Sequence, residues 1–103
     1  MGPAHPESPR RTDVIPDMLM TLRVLDMLAQ LDAPAVTREQ LLRVHSEAYI
    51  EHLEQIVPQN GYRDIDLDTR MNSRTLQAAR FAAGSAVLAV DLVATGKAKN
   101  AFC

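Results

Sequence analysis

From Leu76 to Ala94 the chain carries charge at only two positions, Arg80 and Asp91, and the ten residues from Phe81 to Val90 carry none. The segment is dense in alanine and spreads apolar residues over nearly every side, so it reads as one helix whose faces all seek cover. Asn72 or Ser73 is placed to cap its start. Gly96 is placed to end it, with Lys97 and Lys99 opposite the negative end of the helix dipole. Gly84 and Ser85 allow a close backbone approach. A ten-residue run is about half a membrane span. The expectation is an enclosed core helix, with no membrane as partner.

The remaining residues must supply the enclosure. The 103 residues allow a single domain, and 47% hydrophobic with 23% charged residues excludes a disordered or fibrous chain. With no Trp, two Tyr and two Phe, the core falls to Leu, Val, Ile, Met and Ala, a composition that favours helices. Ser8 before Pro9 reads as a helix start. The stripe Met18, Leu22, Leu25, Leu28 and Leu31 predicts a main helix to about Leu31, with Pro16 splitting off a short first turn near Ile15. Thr37 with Gln40 reads as a capping box for a two-turn helix, and His45-Ser46 restarts the chain. Tyr49, Ile50, Leu53, Ile56 and Val57 then form a second apolar stripe, closed by Pro58 and Asn60-Gly61. Asp64 to Asp68 alternates acid with apolar residues, the period of a strand or loop. The fold class expected is all-α, with three main helices and an acidic loop over one segment, residues 1–103. Leu22, Leu25, Leu53, Phe81, Leu88 and Leu92 are its expected core.

Two amphipathic helices and a short turn cover one broad face of the last helix and leave the others bare. Either the chain self-associates, or further elements of a longer chain pack there, as the strand-like ending Asn100-Ala101-Phe102-Cys103 implies.

Thirteen acids against eleven bases leave a net charge of −2, which offers no polycationic surface to nucleic acid and opposes a helix-turn-helix reading of residues 37–57. The lone Cys103 excludes an internal disulfide and a Cys-based zinc knuckle. The opening residues lack the apolar stretch of a signal peptide, so a cytoplasmic location is expected. Asp64, Asp66 and Asp68 are spaced like the start of a calcium loop, but Thr69 stands where that loop needs Gly and Thr75 where it needs Glu. His5, His45 and His52 are the three imidazoles, and no cysteine or Glu-x-x-His pattern joins them. There is no Gly-x-Ser-x-Gly elbow and no glycine-rich phosphate loop. The residues contain no complete catalytic site and no metal site.

Four short segments in order nevertheless resemble a known family. His5-Pro6-Glu7-Ser8-Pro9-Arg10-Arg11 is similar to the His-Pro-Glu-x-Pro-x-Arg opening of the histone deacetylase superfamily, which includes class II-like deacetylases and acetylpolyamine amidohydrolases. Val44-His45-Ser46-Glu47-Ala48-Tyr49-Ile50 resembles its Val-His-Ser-x-x-Tyr-Ile stretch. Asp66-Leu67-Asp68-Thr69 with Ala78 to Gly84 resembles the third signature, and Ala94 to Phe102 the approach to the first catalytic motif. The pattern departs from the family at Thr12 and Pro16.

The resemblance implies a zinc-dependent parent that hydrolyses the amide of acetyl-lysine or acetylpolyamine on an arginase-deacetylase type α/β fold. It implies that the Arg-Pro-Pro-Gly-His-His motif and the zinc ligands lie past Cys103, and that the family's usual first strand, before the His-Pro-Glu motif, is absent. The chain is then an N-terminal piece, inactive by itself, with no cofactor of its own. The resemblance also implies that Asp68 holds the substrate backbone and that Arg11 lines an internal channel. The alternative is a stand-alone all-α module that self-associates or binds a partner. The partner expected is thus a second copy or the missing remainder of the domain.

Overall fold

The computed structural model describes residues 8–103. His5 and Pro6, which open the first family-like signature, lie outside the described residues. The chain forms two compact units, one ending at Leu31 and one spanning Asp32–Cys103.

The first unit is built on helix α1, Arg10–Thr21. The Arg10 N–H reaches the Ser8 hydroxyl at 3.4 Å and the Arg11 N–H donates to the Ser8 carbonyl at 3.1 Å, so Ser8 opens the helix as expected. Two other expectations fail. The helix runs unbroken through Pro16. Proline withholds only the bond to the Thr12 carbonyl, and Thr12 is exposed, so water can satisfy that oxygen. The helix also stops at Thr21 rather than near Leu31. Arg23 adopts a left-handed φ of 55°, the Val24 N–H donates to the Leu19 carbonyl at 2.9 Å and the Arg23 N–H to Met20 at 3.0 Å. This is a Schellman ending, which brings Leu19 and Val24 together, and both are half-buried. A 3-10 turn, Leu25–Met27, follows.

The second unit holds the long helix. Thr37 and Gln40 form the expected capping box at the start of α2, Arg38–Leu41: the Gln40 N–H donates to Thr37 Oγ1 at 3.2 Å and the Thr37 N–H to Gln40 Oε1 at 2.9 Å. Ser46 accepts from the Tyr49 N–H and caps α3, Glu47–Gln55. Two short antiparallel strands, β1 (Arg63–Asp64) and β2 (Arg70–Met71), pair Arg63 with Met71 and Asp64 with Arg70. The described residues are therefore mostly helical with one small hairpin, and the all-α expectation is corrected at that point. The alternating residues from Ile65 to Asp68 form the turn rather than a strand, and the bond from the Ile65 N–H to the Thr69 carbonyl closes it so that the two ends pair.

Helix α4, Thr75–Ala94, closes the unit. Asn72 organises its approach, accepting from the Arg74 N–H at 2.8 Å and donating its own N–H to Thr75 Oγ1 at 2.9 Å. At the other end Gly96, with φ 71°, forms a second Schellman ending, its Lys97 N–H bonded to the Leu92 carbonyl at 2.9 Å. Gly84 is the one buried residue of α4. There the non-helical segment 34–36 crosses the helix, and the Val36 N–H donates to the Arg80 carbonyl at 2.9 Å. A Cβ at position 84 would overlap the Pro34 carbonyl oxygen and come within 2.9 Å of the Val36 nitrogen.

The core consists of Val36, Ile50 and Met71, the last fully enclosed. None of the six residues expected there is buried: Leu22 is 62% and Phe81 47% exposed, and Leu25, Leu53, Leu88 and Leu92 are half-buried. Met71 sits on a strand and Val36 outside any helix, positions without helical period that the stripe pattern does not rank. Nor is α4 enclosed. Counted through its two charges it reaches 20 residues, by length and composition enough to cross a membrane. Its Gly84 crossing and the Arg80 ion pair described next tie it into the unit.

Candidate functional site

The second unit contains a cleft of about 230 Å³ between α2–α3 and α4. Leu41, Ile50, Leu53, Leu76, Ala79 and Ala83 form its apolar walls, because the stripe of α3 faces the small residues of α4. His45 and Tyr49 stand at its edge, their rings 5.5 Å apart and tilted by 38°. The capping of α3 by Ser46 produces this pairing: it leaves His45 just outside the helix and Tyr49 in its first turn. His52 lies in the last turn of α3, exposed.

Glu54 and Arg80 close the other side of the cleft as an ion pair. Arg38 joins them, with its guanidinium 3.3 Å from Glu54, 3.5 Å from Glu47 and 3.7 Å from Glu51. This network clamps α2 and α4 onto α3, although each exposed pair contributes only about 0–1 kcal/mol. Sequence reasoning missed it. Glu47, Glu51 and Glu54, at steps of four and three, mark one face of α3 and could have been read as an acidic stripe. The arginines that meet that stripe come from elsewhere in the chain, and no spacing announces them.

The acidic loop is the turn of the hairpin. Arg70 Nε donates to Asp64 Oδ1 at 2.5 Å, and this bond holds the Asp64 carboxyl below the usual carboxylate range. The Asp68 N–H donates to Asp66 Oδ1 at 2.8 Å. That bond, with further ones from Thr69, lowers the Asp66 carboxyl likewise. Asp64 and Asp66 are thus engaged in shaping the turn. Asp68 is exposed beside Leu67, and it is not among the residues that line the cleft. Arg11 lies in the first turn of α1, exposed, in the other unit.

Among the described residues no group of three His, Cys, Asp or Glu side chains comes together to hold a metal ion, and no buried side-chain nitrogen or oxygen lacks a partner. The residues described do not fit a zinc site. What the second unit offers chemically is an apolar cleft with a polar edge, and a tied acidic turn on which Asp68 is exposed.

Comparison with known proteins identifies the family of the sequence. The family model described as histone deacetylase domain matches residues 5–103. A histone deacetylase-like amidohydrolase of Pseudomonas aeruginosa is 31% identical over 95% of the chain and 26% of its own length. A probable deacetylase of Archaeoglobus fulgidus is 30% identical over 98% of the chain and 28% of its own length. Histone deacetylase 15 of Arabidopsis thaliana is 34% identical over 95% of the chain and 18% of its own length. The chain spans about a quarter or less of the length of these relatives.

Proposed function

Because this chain belongs to the histone deacetylase family, we propose that it forms the N-terminal portion of a zinc-dependent amide hydrolase acting on acetyl-lysine or acetylpolyamine. The observation that carries the reading is the match over residues 5–103 set against relatives named as deacetylases that are several times longer. In the whole enzyme zinc supplies the Lewis acid that polarises the acetyl carbonyl. On this reading the zinc ligands belong to the remainder of the domain, and the isolated chain is inactive.

The contribution of this portion is to hold and orient. In the hairpin turn, the bonds from Asp68 and Thr69 to Asp66 fix the backbone while the exposed Asp68 carboxylate accepts N–H groups of a substrate backbone. Arg11 gives the parent a permanent cation for a small carboxylate product. Two assays test this. The isolated chain, with zinc and an acetyl-lysine peptide, shows no turnover above background; measurable turnover overturns the inactivity. In the full-length parent Asp68→Asn raises KM about tenfold, because the amide keeps one acceptor oxygen but loses the charge and replaces the other oxygen by a donor, with kcat little changed; an unchanged KM removes Asp68 from substrate binding.

A second reading, a stand-alone partner-binding module, is favoured by the exposure of Phe81, Val90 and Val93 on α4. A monomer in sedimentation equilibrium that binds nothing and unfolds cooperatively counts against it.

A further inference from the structure

The cleft of the second unit has apolar walls and a polar rim formed by His45, Tyr49, Glu54 and Arg80. Among the described residues, this rim holds more donors than the protein uses. Arg80 carries five N–H groups and commits one of them to Glu54. The Tyr49 hydroxyl and the His45 ring make no side-chain hydrogen bond, and their rings meet only each other. The one acidic group on the rim, the Glu54 carboxylate, already accepts from both Arg38 and Arg80. Glu47 and Glu51 spend their charge on Arg38 and do not line the cleft. The rim is therefore short of an acceptor. Arg80 has the strongest claim on one, because its planar fork suits a carboxylate and its side chain is 44% exposed.

Size and spacing narrow the ligand further. An apolar cavity of about 150 Å³ is enough for one benzene ring, so a cleft of about 230 Å³ takes a ring and leaves about 80 Å³ for a spacer and a head group. The rings of His45 and Tyr49, 5.5 Å apart and tilted by 38°, give an aromatic guest two partners at the separations such pairs prefer. A straight acyl chain gains the walls but not these two contacts. Tyr49 and Glu54, the partner of Arg80, are five residues apart on α3, about 7.5 Å along its axis. A carboxylate joined directly to the ring does not span that distance. One held on a short methylene spacer does.

We infer that this cleft binds an aromatic monocarboxylate, with the ring between the α3 stripe and the alanines of α4, beside Tyr49 and His45, and the carboxylate on the remaining N–H groups of Arg80. The site lies wholly within the second unit and does not depend on the deacetylase reading.

The test is a titration of the full chain with 3-phenylpropanoate at pH 7, followed by amide chemical shifts. The result expected is a set of saturable shifts confined to residues 41–54 and 76–83, with a Kd of about 1 mM, the range open to a ligand of this size. The uncharged isostere 3-phenylpropanamide binds about tenfold more weakly, through the loss of the charge-assisted bond. The cation 3-phenylpropylamine binds more weakly still, and so does benzoate, which lacks the spacer. Arg80→Gln brings the acid and the amide to equal affinity. Because that variant also removes the ion pair with Glu54, Ala79→Leu supplies a second check: it fills the cleft, leaves every charge in place and abolishes binding of acid and amide alike. The inference is overturned by the absence of saturable shifts up to about 20 mM ligand, or by equal binding of acid and amide to the unaltered chain. Tighter binding of the amine, shifts centred outside the cleft, or undiminished binding by Ala79→Leu overturn it equally.

Discussion

The unit ending at Leu31 and the unit from Asp32 to Cys103 are both mostly helical, yet they are held by different means. In the first, no residue of α1 is buried, and Val14, Met18, Met20 and Leu22 are each more than half exposed. Its order comes from local bonds, namely the Ser8 start and the Schellman ending at Arg23. In the second, Val36, Ile50 and Met71 are buried, and contacts distant in sequence decide the arrangement. The same Schellman geometry ends α1 at Arg23 and α4 at Gly96. Only the second uses the residue that adopts the left-handed conformation without strain. Local chemistry can define a helix, but only tertiary contact gives it a buried side.

The sharpest way to break this contrast is Gly84→Ala. In the second unit the added methyl must displace the Pro34 carbonyl and the Val36 nitrogen, both backbone. A loss of about 3 kcal/mol is expected in urea denaturation, at the upper end of overpacking costs. A loss under about 0.5 kcal/mol would mean that the crossing does not hold the unit together. Next is a matched pair of truncations. Met71→Ala, at a fully enclosed site, should cost about 2 kcal/mol, the low end for a buried methionine because the core is small. Met18→Ala, at a site 53% exposed, should stay within about 0.5 kcal/mol. Equal effects would erase the distinction between the two units.

A smaller effect sharpens the comparison of helix ends. Arg23→Gly relieves a left-handed residue and should stabilise α1 by about 1 kcal/mol, while Gly96→Ala should destabilise α4 by about the same. Circular dichroism melts of the two variants should move in opposite directions. The smallest effect is on pH. Asp64 and Asp66 have folded pKa values below the usual carboxylate value of about 3.9. Their contribution to the hairpin is therefore complete above that value and fades as pH falls through the depressed folded values. Amide chemical shifts of residues 63–71 followed from pH 6 to pH 2 should show the turn loosening only at the acid end, with the first unit unmoved. Loosening already near pH 5 would refute it.

Much of the local structure was legible from residues alone. The Thr37–Gln40 box, the restart at Ser46, the extent of α4 and its Gly96 ending each follow from hydrogen bonds between residues within six positions of one another, so the identities suffice. The Pro16 break and the run of the first helix to Leu31 did not follow. An exposed carbonyl tolerates a missing donor, and the Arg23 turn overrode the apolar period. The family signatures were legible too, because they are strings of adjacent residues. The cleft was not, since its walls come from α2, α3 and α4 at once, and Arg38 and Arg80 meet Glu54 across 16 and 26 positions.

The sequence by itself determined the capped starts of α2 and α3 and the glycine ending of α4, that Gly84 would admit another backbone, and to which family the chain is similar. Those are properties of neighbours along the chain, governed by capping bonds and side-chain size. Only the tertiary structure decided which residues are buried, which residues of α4 line the cleft, and that Asp68 rides a hairpin turn apart from the cleft. Burial depends on what arrives from the far side of a helix, and periodicity marks a face as apolar without saying what will cover it.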